Sequence, residues 1–208
     1  MNRMNVINTL LEARGYESYL EIGCQADVAF NAVKAKQKIG VDPVSGGTLR
    51  MTSDEFFALN TETFDLIFID GDHHHDQVFR DISNSLRSLK PRGTIAMHDC
   101  FPPDLNHESL QLCGTAWRAF VKTRERPDLE SFVCAFDYGV GIVRKLLNSL
   151  PVRLDKTMDA LTYDEMIENR ARWMRPVTFE AFQEIAHVDE YTWNHGPLHV
   201  QPWSADRT

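Results

Sequence analysis

The first 145 residues of the chain alternate short apolar runs with longer amphipathic segments. An apolar run rich in β-branched residues predicts a strand, whereas apolar positions three and four residues apart predict a helix that buries one face. Strands that alternate with helices at this spacing indicate βαβ units and a mainly parallel sheet. The pattern predicts strands at 19–23, 38–42, 66–70, 94–98, 132–136 and 140–144, helices at 4–13, 28–36, 76–90 and 115–125, and one helix that Ser53 caps.

The last two predicted strands are joined by Asp137-Tyr138-Gly139, a connection too short for a crossover helix. They are therefore predicted to form an antiparallel hairpin at the end of the sheet. Beyond Pro151 the pattern predicts helices at 162–170 and 178–186, followed by an aromatic tail with Trp193 and Trp203. We expect one domain over 1–150, with 151–208 as a helical and aromatic extension packed on the same domain.

Length and charge narrow the classes of protein. The chain has 208 residues, 43% of them hydrophobic, which suits one well-buried core. A net charge of -8 and a pI near 5.4 argue against a nucleic-acid partner and favour a small molecule. The sequence shows no signal peptide and no apolar stretch that could span a membrane, so we expect a cytoplasmic protein without a membrane partner. The four cysteines lack CxxC spacing and are expected to be reduced and buried.

Acidic and imidazole side chains follow two of the predicted strands. Asp70, Asp72 and His73 come directly after the third strand, and His98 and Asp99 end the fourth. Because parallel strands deliver their carboxyl ends to one edge of a sheet, these side chains are predicted to share one site. The run of histidines at 73–75 is not expected to hold one ion, since consecutive helical residues point in different directions. Asp72 is a candidate cap for the helix that follows.

The first two strands end in residues that suit a nucleoside. Glu21 lies two positions before Gly23, where the chain must turn tightly, and Asp42 ends the second strand. A carboxylate at this place can bind the vicinal hydroxyls of a ribose.

Five motifs occur in order along this part of the chain, and together they are specific. They are Leu-Glu-Ile-Gly at 20–23, Gly-Val-Asp-Pro at 40–43, Thr-Ser-Asp-Glu-Phe-Phe at 52–57, Ile-Asp-Gly-x-His at 69–73 and His-Asp-Cys at 98–100. In these the chain resembles the class I S-adenosylmethionine-dependent methyltransferases, and more narrowly a bacterial O-methyltransferase branch tied to glycan and secondary-metabolite pathways. The resemblance covers residues 18–145. It implies a Rossmann-like, doubly wound α/β fold with a seven-stranded, mainly parallel sheet that ends in an antiparallel hairpin.

The resemblance also implies roles for individual residues. Glu21 and Gly23 would shape the loop that binds S-adenosyl-L-methionine, Asp42 would bind the ribose, and Asp70 would lie near the methionine moiety. Ser53 and Asp54 would border the adenine. The acceptor would be a hydroxyl of a small molecule or a carbohydrate, whose identity the sequence does not give, and a homo-oligomer is left open.

Methyl transfer to a hydroxyl requires removal of its proton, by a base, a metal or both. Asp72, His73 and His98 are the candidate bases, while Asp70 orients the reacting centre. Similar enzymes that methylate sugars of macrolides use magnesium, so Asp70, His98 and Asp99 are the predicted ligands of Mg²⁺ or another divalent cation. Since magnesium prefers oxygen ligands, His98 favours a softer ion or a role as base.

One position departs from the family pattern. Asp27 stands near the place of a usual glycine, and its charge would repel the carboxylate of the cofactor. Three alternatives therefore stay open: a nicotinamide-dependent oxidoreductase, a cofactor-binding protein of the same fold without activity, and a metal-dependent hydrolase.

Overall fold

A computed structural model describes residues 1–188 of the chain. Helices and strands alternate along it, and two 3-10 helices lie at Leu105–Glu108 and Met158–Ala160. The α-helices are α1 (Arg3–Arg14), α2 (Val28–Ala32), α3 (Ser53–Leu59), α4 (His75–Ser88), α5 (Ala116–Thr123), α6 (Tyr163–Met174) and α7 (Phe179–Ala186). The strands are β1 (Ser18–Ile22), β2 (Gln37–Val41), β3 (Phe64–Ile69), β4 (Leu89–Met97), β5 (Glu130–Cys134), β6 (Val140–Arg144) and β7 (Pro176–Val177).

The strands form one seven-stranded sheet in the order β2-β1-β3-β4-β6-β5-β7. Strands β1 to β4 pair in parallel, and β6 is inserted antiparallel between β4 and β5. The predicted doubly wound fold and its terminal hairpin are confirmed. The seventh strand is Pro176–Val177, which pairs with Val133 and Cys134. Two residues carry no periodicity, so this strand has no signal in the sequence.

Helices cover both faces of the sheet, and each face has its own apolar cluster. On one face α3, α4, α5 and α6 pack through residues such as Phe56, Ile82 and Trp117. On the other face α1, α2 and α7 pack through Ile7, Phe30 and Phe182. Strands buried on both sides read as continuous apolar runs rather than as alternating ones, which is the pattern of β3 and of the end of β4.

Several element boundaries differ from the prediction. Helix α2 ends at Ala32 rather than at 36, because Lys34 and Lys36 lie beyond an extended Val33. Helix α4 ends at Ser88 and β4 follows at once. Pro91 therefore lies within the strand and does not mark the end of the helix. The register of β4 against β3 shifts in this stretch, which lets a residue without an N–H be accommodated.

The cap of α3 is Thr52 and not Ser53. The Thr52 hydroxyl accepts from the Glu55 N–H, and the Glu55 carboxylate accepts from the Thr52 N–H at 2.8 Å. This capping box satisfies two backbone donors that the helix itself leaves free. Ser53 is therefore the first helical residue, which leaves its hydroxyl free to face α4.

The region after residue 150 shares the core of the first part. Leu161 and Met166 are buried in the cluster of α4 and α5, and Val177 joins that of α1. The aromatic tail predicted around Trp193 and Trp203 lies outside the described residues. Within residues 1–188 no helix combines the length and the apolar character needed to cross a bilayer.

Candidate active site

The carboxyl ends of β1 and β3 meet at the point where the strand order changes direction, the usual ligand crevice of doubly wound sheets. Gly23 turns there with φ +87°, and a Cβ at this position would lie 2.2 Å from the carbonyl oxygen of Asp70. The Asp70 N–H in turn donates to the Ile22 carbonyl at 2.8 Å. Glycine at position 23 therefore lets the two strand ends approach as closely as they do.

Four of the predicted side chains meet at this edge. The Nε2 atom of His73 lies 3.3 Å from Asp99 Oδ2 and 3.8 Å from Asp70 Oδ1. The Nδ1 atom of His98 lies 3.3 Å from both Asp70 and Asp99. The prediction that these two strand ends would converge is thus supported by the distances.

The segment that carries His73 is fixed by the loop before α5. The Thr115 N–H donates to the His73 carbonyl at 2.9 Å, and Gly114, at φ +56°, packs against the His73 backbone. A Cβ at position 114 would lie 2.5 Å from the His73 carbonyl oxygen. This contact sets the direction in which the imidazole leaves the backbone.

The side chains of this cluster shift one another's pKa values. Burial opposes ionisation of Asp70, but the imidazoles of His73 and His98 hold its pKa below the ordinary value. Asp70 and then Asp99 raise the pKa of His73, against the effect of burial. Burial also opposes the charged form of His98, yet the surrounding carboxylates raise its pKa well above the ordinary value. The carboxylates therefore favour the charged form of both imidazoles, and that of His98 more strongly than that of His73.

Two further residues belong to this site, and the sequence pattern did not indicate them. Asp137, in the hairpin turn, accepts from His98 Nε2 through its carbonyl at 2.8 Å. Its carboxylate accepts from the Arg3 N–H at 2.7 Å, and burial is outweighed by His98 and Arg3 so that its pKa falls to about 2. Arg3, at the start of α1, also places Nε 3.4 Å from Asp70 Oδ2. The sequence separation of 134 residues leaves no local signal for the contact between Arg3 and Asp137.

Backbone strain is concentrated at the same edge. Asp99 and Asp137 have φ values of +60° and +51°, a region that residues with a Cβ adopt at a cost of about 1–2 kcal/mol. Left-handed residues of this kind are common at functional sites, where the surrounding structure enforces them. Here the strain turns both aspartates toward His98.

Glu21 lies beneath this edge and is only 1% exposed. Its carboxyl accepts from the Tyr19 hydroxyl at 2.5 Å. Burial raises its pKa from 4.5 to about 7, and the charge of Asp70 adds to the effect.

Asp42 directly follows β2, and its carboxylate already accepts hydrogen bonds from backbone N–H groups. Oδ2 accepts from the N–H groups of Cys24 and Gln25, at 3.0 and 2.9 Å, while Oδ1 accepts from those of Val44 and Ser45, each at 2.8 Å. A carboxylate has about four lone-pair sites, so a ribose hydroxyl would share or displace one of these bonds. Its role toward a ribose stays a prediction, and its observed role is to join the two loops at the ends of β1 and β2.

Asp27 is left-handed, with φ +60°, which explains why a glycine is usual here. It precedes α2 but makes no side-chain cap. Its Oδ1 instead accepts from the Gly47 N–H at 2.6 Å. The carboxylate therefore already has a backbone partner in the loop after β2.

Ser53 and Asp54 face α4. The amide of Gln77 donates to Ser53 Oγ at 3.1 Å, and also contacts the buried Asp81 at 3.1 Å. Burial raises the pKa of Asp81 to about 6. The predicted contact of Ser53 and Asp54 with an adenine remains a prediction.

The prediction that Asp72 caps α4 is wrong, and His74 and His75 differ in burial. Asp72 is exposed and accepts from the His74 N–H at 2.8 Å, whereas the cap of α4 is His74. His75 is buried, with Nδ1 2.9 Å from Thr115 Oγ1 and Nε2 3.0 Å from Asp159 Oδ1. The histidine run therefore divides into one site residue, one cap and one buried link to Asp159, and only His75 lies within α4.

The donor set for a cation also differs from the prediction. Asp70, His73 and Asp99 present ligand atoms that all lie within 4.8 Å of one another. His98 had been predicted in place of His73, but its Nε2 is held by the Asp137 carbonyl and its ring is stabilised in the protonated form. A protonated imidazole is a donor and not a ligand. One nitrogen and two carboxylates suit a first-row divalent ion.

Comparison with known proteins gives a consistent result. Residues 8–100 match the family model described as a methyltransferase domain. No protein of curated function matches the chain in sequence.

Solved structures share the fold at low identity. A methyltransferase of Podospora anserina with bound S-adenosylhomocysteine is 19% identical, with a TM-score of 0.52 over 70% of this chain and 79% of that one. A putative caffeoyl-CoA O-methyltransferase of Staphylococcus aureus is 15% identical, with a TM-score of 0.53 over 68% and 82%. A putative O-methyltransferase of Klebsiella pneumoniae is 17% identical, with a TM-score of 0.50 over 71% and 80%. Residues 8–100 therefore match a methyltransferase domain, and the chain shares its fold with these solved methyltransferase structures.

Proposed function

We propose that the protein transfers the methyl group of S-adenosylmethionine to a hydroxyl of a small molecule or carbohydrate. The observation that carries the proposal is the convergence of Asp70, His73 and Asp99 within 4.8 Å, directly beside the crevice between β1 and β3. A hydroxyl is a weak nucleophile at neutral pH and needs a proton acceptor in such a place.

The residues present suit the cofactor. The close approach of Gly23 to Asp70 leaves no room for a side chain in the turn of the crevice. The Nε–H of Arg3 at the same edge is buried without a hydrogen-bond partner, so a donor is available for an anionic group. When bound, the cofactor would supply a methyl group on a positively charged sulfur, and the carboxylates of this edge suit that charge.

His73 is the proposed proton acceptor, with Asp99 and Asp70 as its orienting partners. The neighbouring carboxylates stabilise the charged ring that forms when it takes the proton. With the cofactor bound, the acceptor oxygen would bond to the methyl carbon as the carbon–sulfur bond breaks, and His73 would hold the proton that the hydroxyl loses. Asp72 is more exposed than His73, and His98 Nε2 already contacts the Asp137 carbonyl at 2.8 Å.

A divalent cation is the second part of the proposal. Asp70, His73 and Asp99 would hold it, and it would lower the pKa of a hydroxyl in its coordination shell. The two roles of His73 exclude each other, since a nitrogen that binds a metal cannot take a proton. Dependence on added Mg²⁺ or Mn²⁺ and sensitivity to a chelator decide between them.

Calorimetric titration tests the cofactor binding on which the proposal depends. The wild-type protein should bind S-adenosylhomocysteine and should not bind NAD. Release of labelled methyl groups from S-adenosylmethionine is then measured against a panel of sugars, glycosides and catechols. Asp70→Asn and His73→Gln should lose turnover by about 10²–10⁴, whereas Asp128→Asn, on an exposed loop before β5, should not. Binding of NAD without S-adenosylhomocysteine would favour an oxidoreductase, and cofactor binding with no turnover on any acceptor would favour the inactive alternative.

A further inference from the structure

We infer that Arg3 binds the α-carboxylate of the cofactor, so that the first turn of α1 is part of the cofactor site. The inference rests on the proposed function and names one of its binding residues. It follows from the position of Arg3, from its unused donor, and from the charge of the edge that it reaches.

Arg3 is held at the edge by its backbone as well as by its side chain. It is the first residue of α1, and a capping box between Asn2 and Asn5 fixes that turn. Its N–H donates to Asp137 Oδ2 at 2.7 Å, and Nη1 donates to the same oxygen at 3.4 Å. The guanidinium therefore lies at the carboxyl edge of the sheet rather than in solvent.

The guanidinium has an unused donor beside the crevice. Its Nε lies 3.4 Å from Asp70 Oδ2 as an ion pair, but the Nε–H is buried and makes no hydrogen bond. A buried donor without a partner costs free energy unless a ligand or water satisfies it. The backbone of Asp70, directly after β3, approaches Gly23 in the crevice, and the Asp70 carboxylate is the group that Arg3 Nε approaches.

The charge of the edge favours a cation near the carboxylate of this cofactor. Asp70, Asp99 and Asp137 lie there, and the carboxyl of Glu21 lies beneath them. These groups favour the positive sulfur, but they repel the carboxylate at the other end of the same ligand. An arginine offers a planar set of donors that pairs two carboxylates at once, so Arg3 can keep Asp137 while it takes the ligand.

The test compares two ligands that differ by one group. S-adenosylhomocysteine and its decarboxylated analogue share the adenosine and the amine, and only the first has the carboxylate. Binding of both is measured by calorimetry to the wild type, to Arg3→Gln, to Arg3→Lys, and to the control Arg87→Gln at the end of α4. Thermal unfolding of each variant is recorded beside the titrations.

We expect Arg3→Gln to weaken S-adenosylhomocysteine about tenfold or more, as for loss of a charge-assisted hydrogen bond, and to change the analogue less than twofold. Arg3→Lys should retain part of the difference, because it keeps the charge without the planar fork. It also serves as the test if Arg3→Gln fails to fold. Arg87→Gln should change neither ligand.

Two results would overturn the inference. Equal weakening of both ligands by Arg3→Gln would place Arg3 in the scaffold of the site, and no weakening of either would remove it from the site. If the wild type bound neither ligand, the proposed function itself would fail, an outcome that the wild-type titrations show before any variant is compared.

Discussion

Glu21 couples the stability of the fold to pH, and the structure gives the size of the effect. The carboxyl is 1% exposed, and burial raises its pKa from 4.5 to about 7. The folded protein therefore holds a proton on Glu21 between these values, whereas the unfolded chain does not. The contribution of Glu21 to stability must fall as the pH rises from about 4.5 to about 7, because ionisation of this carboxyl is opposed only in the folded state.

The magnitude follows from the displacement of the pKa. One pKa unit corresponds to about 1.4 kcal/mol, so a rise from 4.5 to about 7 corresponds to about 3 kcal/mol. Glutamine has nearly the same shape and cannot ionise, and its carbonyl can accept from the Tyr19 hydroxyl as Glu21 does. Glu21→Gln should therefore match the wild type near pH 4 and exceed it by about 3 kcal/mol at pH 8.

Urea unfolding from pH 4 to pH 8, followed by far-UV circular dichroism, measures this difference. Other titrating groups such as Asp81 are common to both proteins and cancel in the comparison. Glu62→Gln, at an exposed position before β3, is the matched control and should run parallel to the wild type. Parallel curves for Glu21→Gln would show that the carboxyl is solvated in solution, and the argument from burial would be refuted.

Three further predictions concern the loops and the imidazoles. Asp42→Asn should lower the free energy of unfolding in urea by about 2–3 kcal/mol, because an amide cannot accept all four backbone N–H groups. Lost affinity for S-adenosylhomocysteine with unchanged stability would favour the ribose role instead. Asp27→Gly should tighten the binding of S-adenosylhomocysteine, and more so at low salt. It should change stability by no more than about 1 kcal/mol, since glycine suits the left-handed backbone but loses the hydrogen bond to the Gly47 N–H. Weaker binding in calorimetry would contradict this prediction. His98→Gln should destabilise the fold most at pH 6. The raised pKa of His98 contributes stability that is present below the ordinary histidine pKa and is lost as the pH rises through the pKa of the folded state. Equal destabilisation at pH 6 and at pH 9 would show that the carboxylates do not bind the charged form of His98.

The sequence by itself determined the fold class and the edge of the sheet that carries the chemistry. Apolar runs such as 66–70 predict buried strands, and the helical segments between them favour parallel pairing. Parallel pairing puts Asp70 and Asp99 at the same edge whatever the details of packing. Periodicity and strand ends are local properties of the chain, and local properties can be read without the structure.

Only the tertiary structure decided which groups act on one another. The two imidazoles are held by residues that are distant in sequence. Thr115 fixes the backbone of His73, and the left-handed Asp137 accepts from His98 through its carbonyl. The contact of Arg3 with Asp137 and Asp70 exists because α1 packs on the sheet beside the hairpin turn, and no pattern within either segment records it. Burial likewise separates Glu21 from an ordinary acidic strand end, because the cost of ionisation depends on what surrounds the carboxyl and not on its neighbours along the chain.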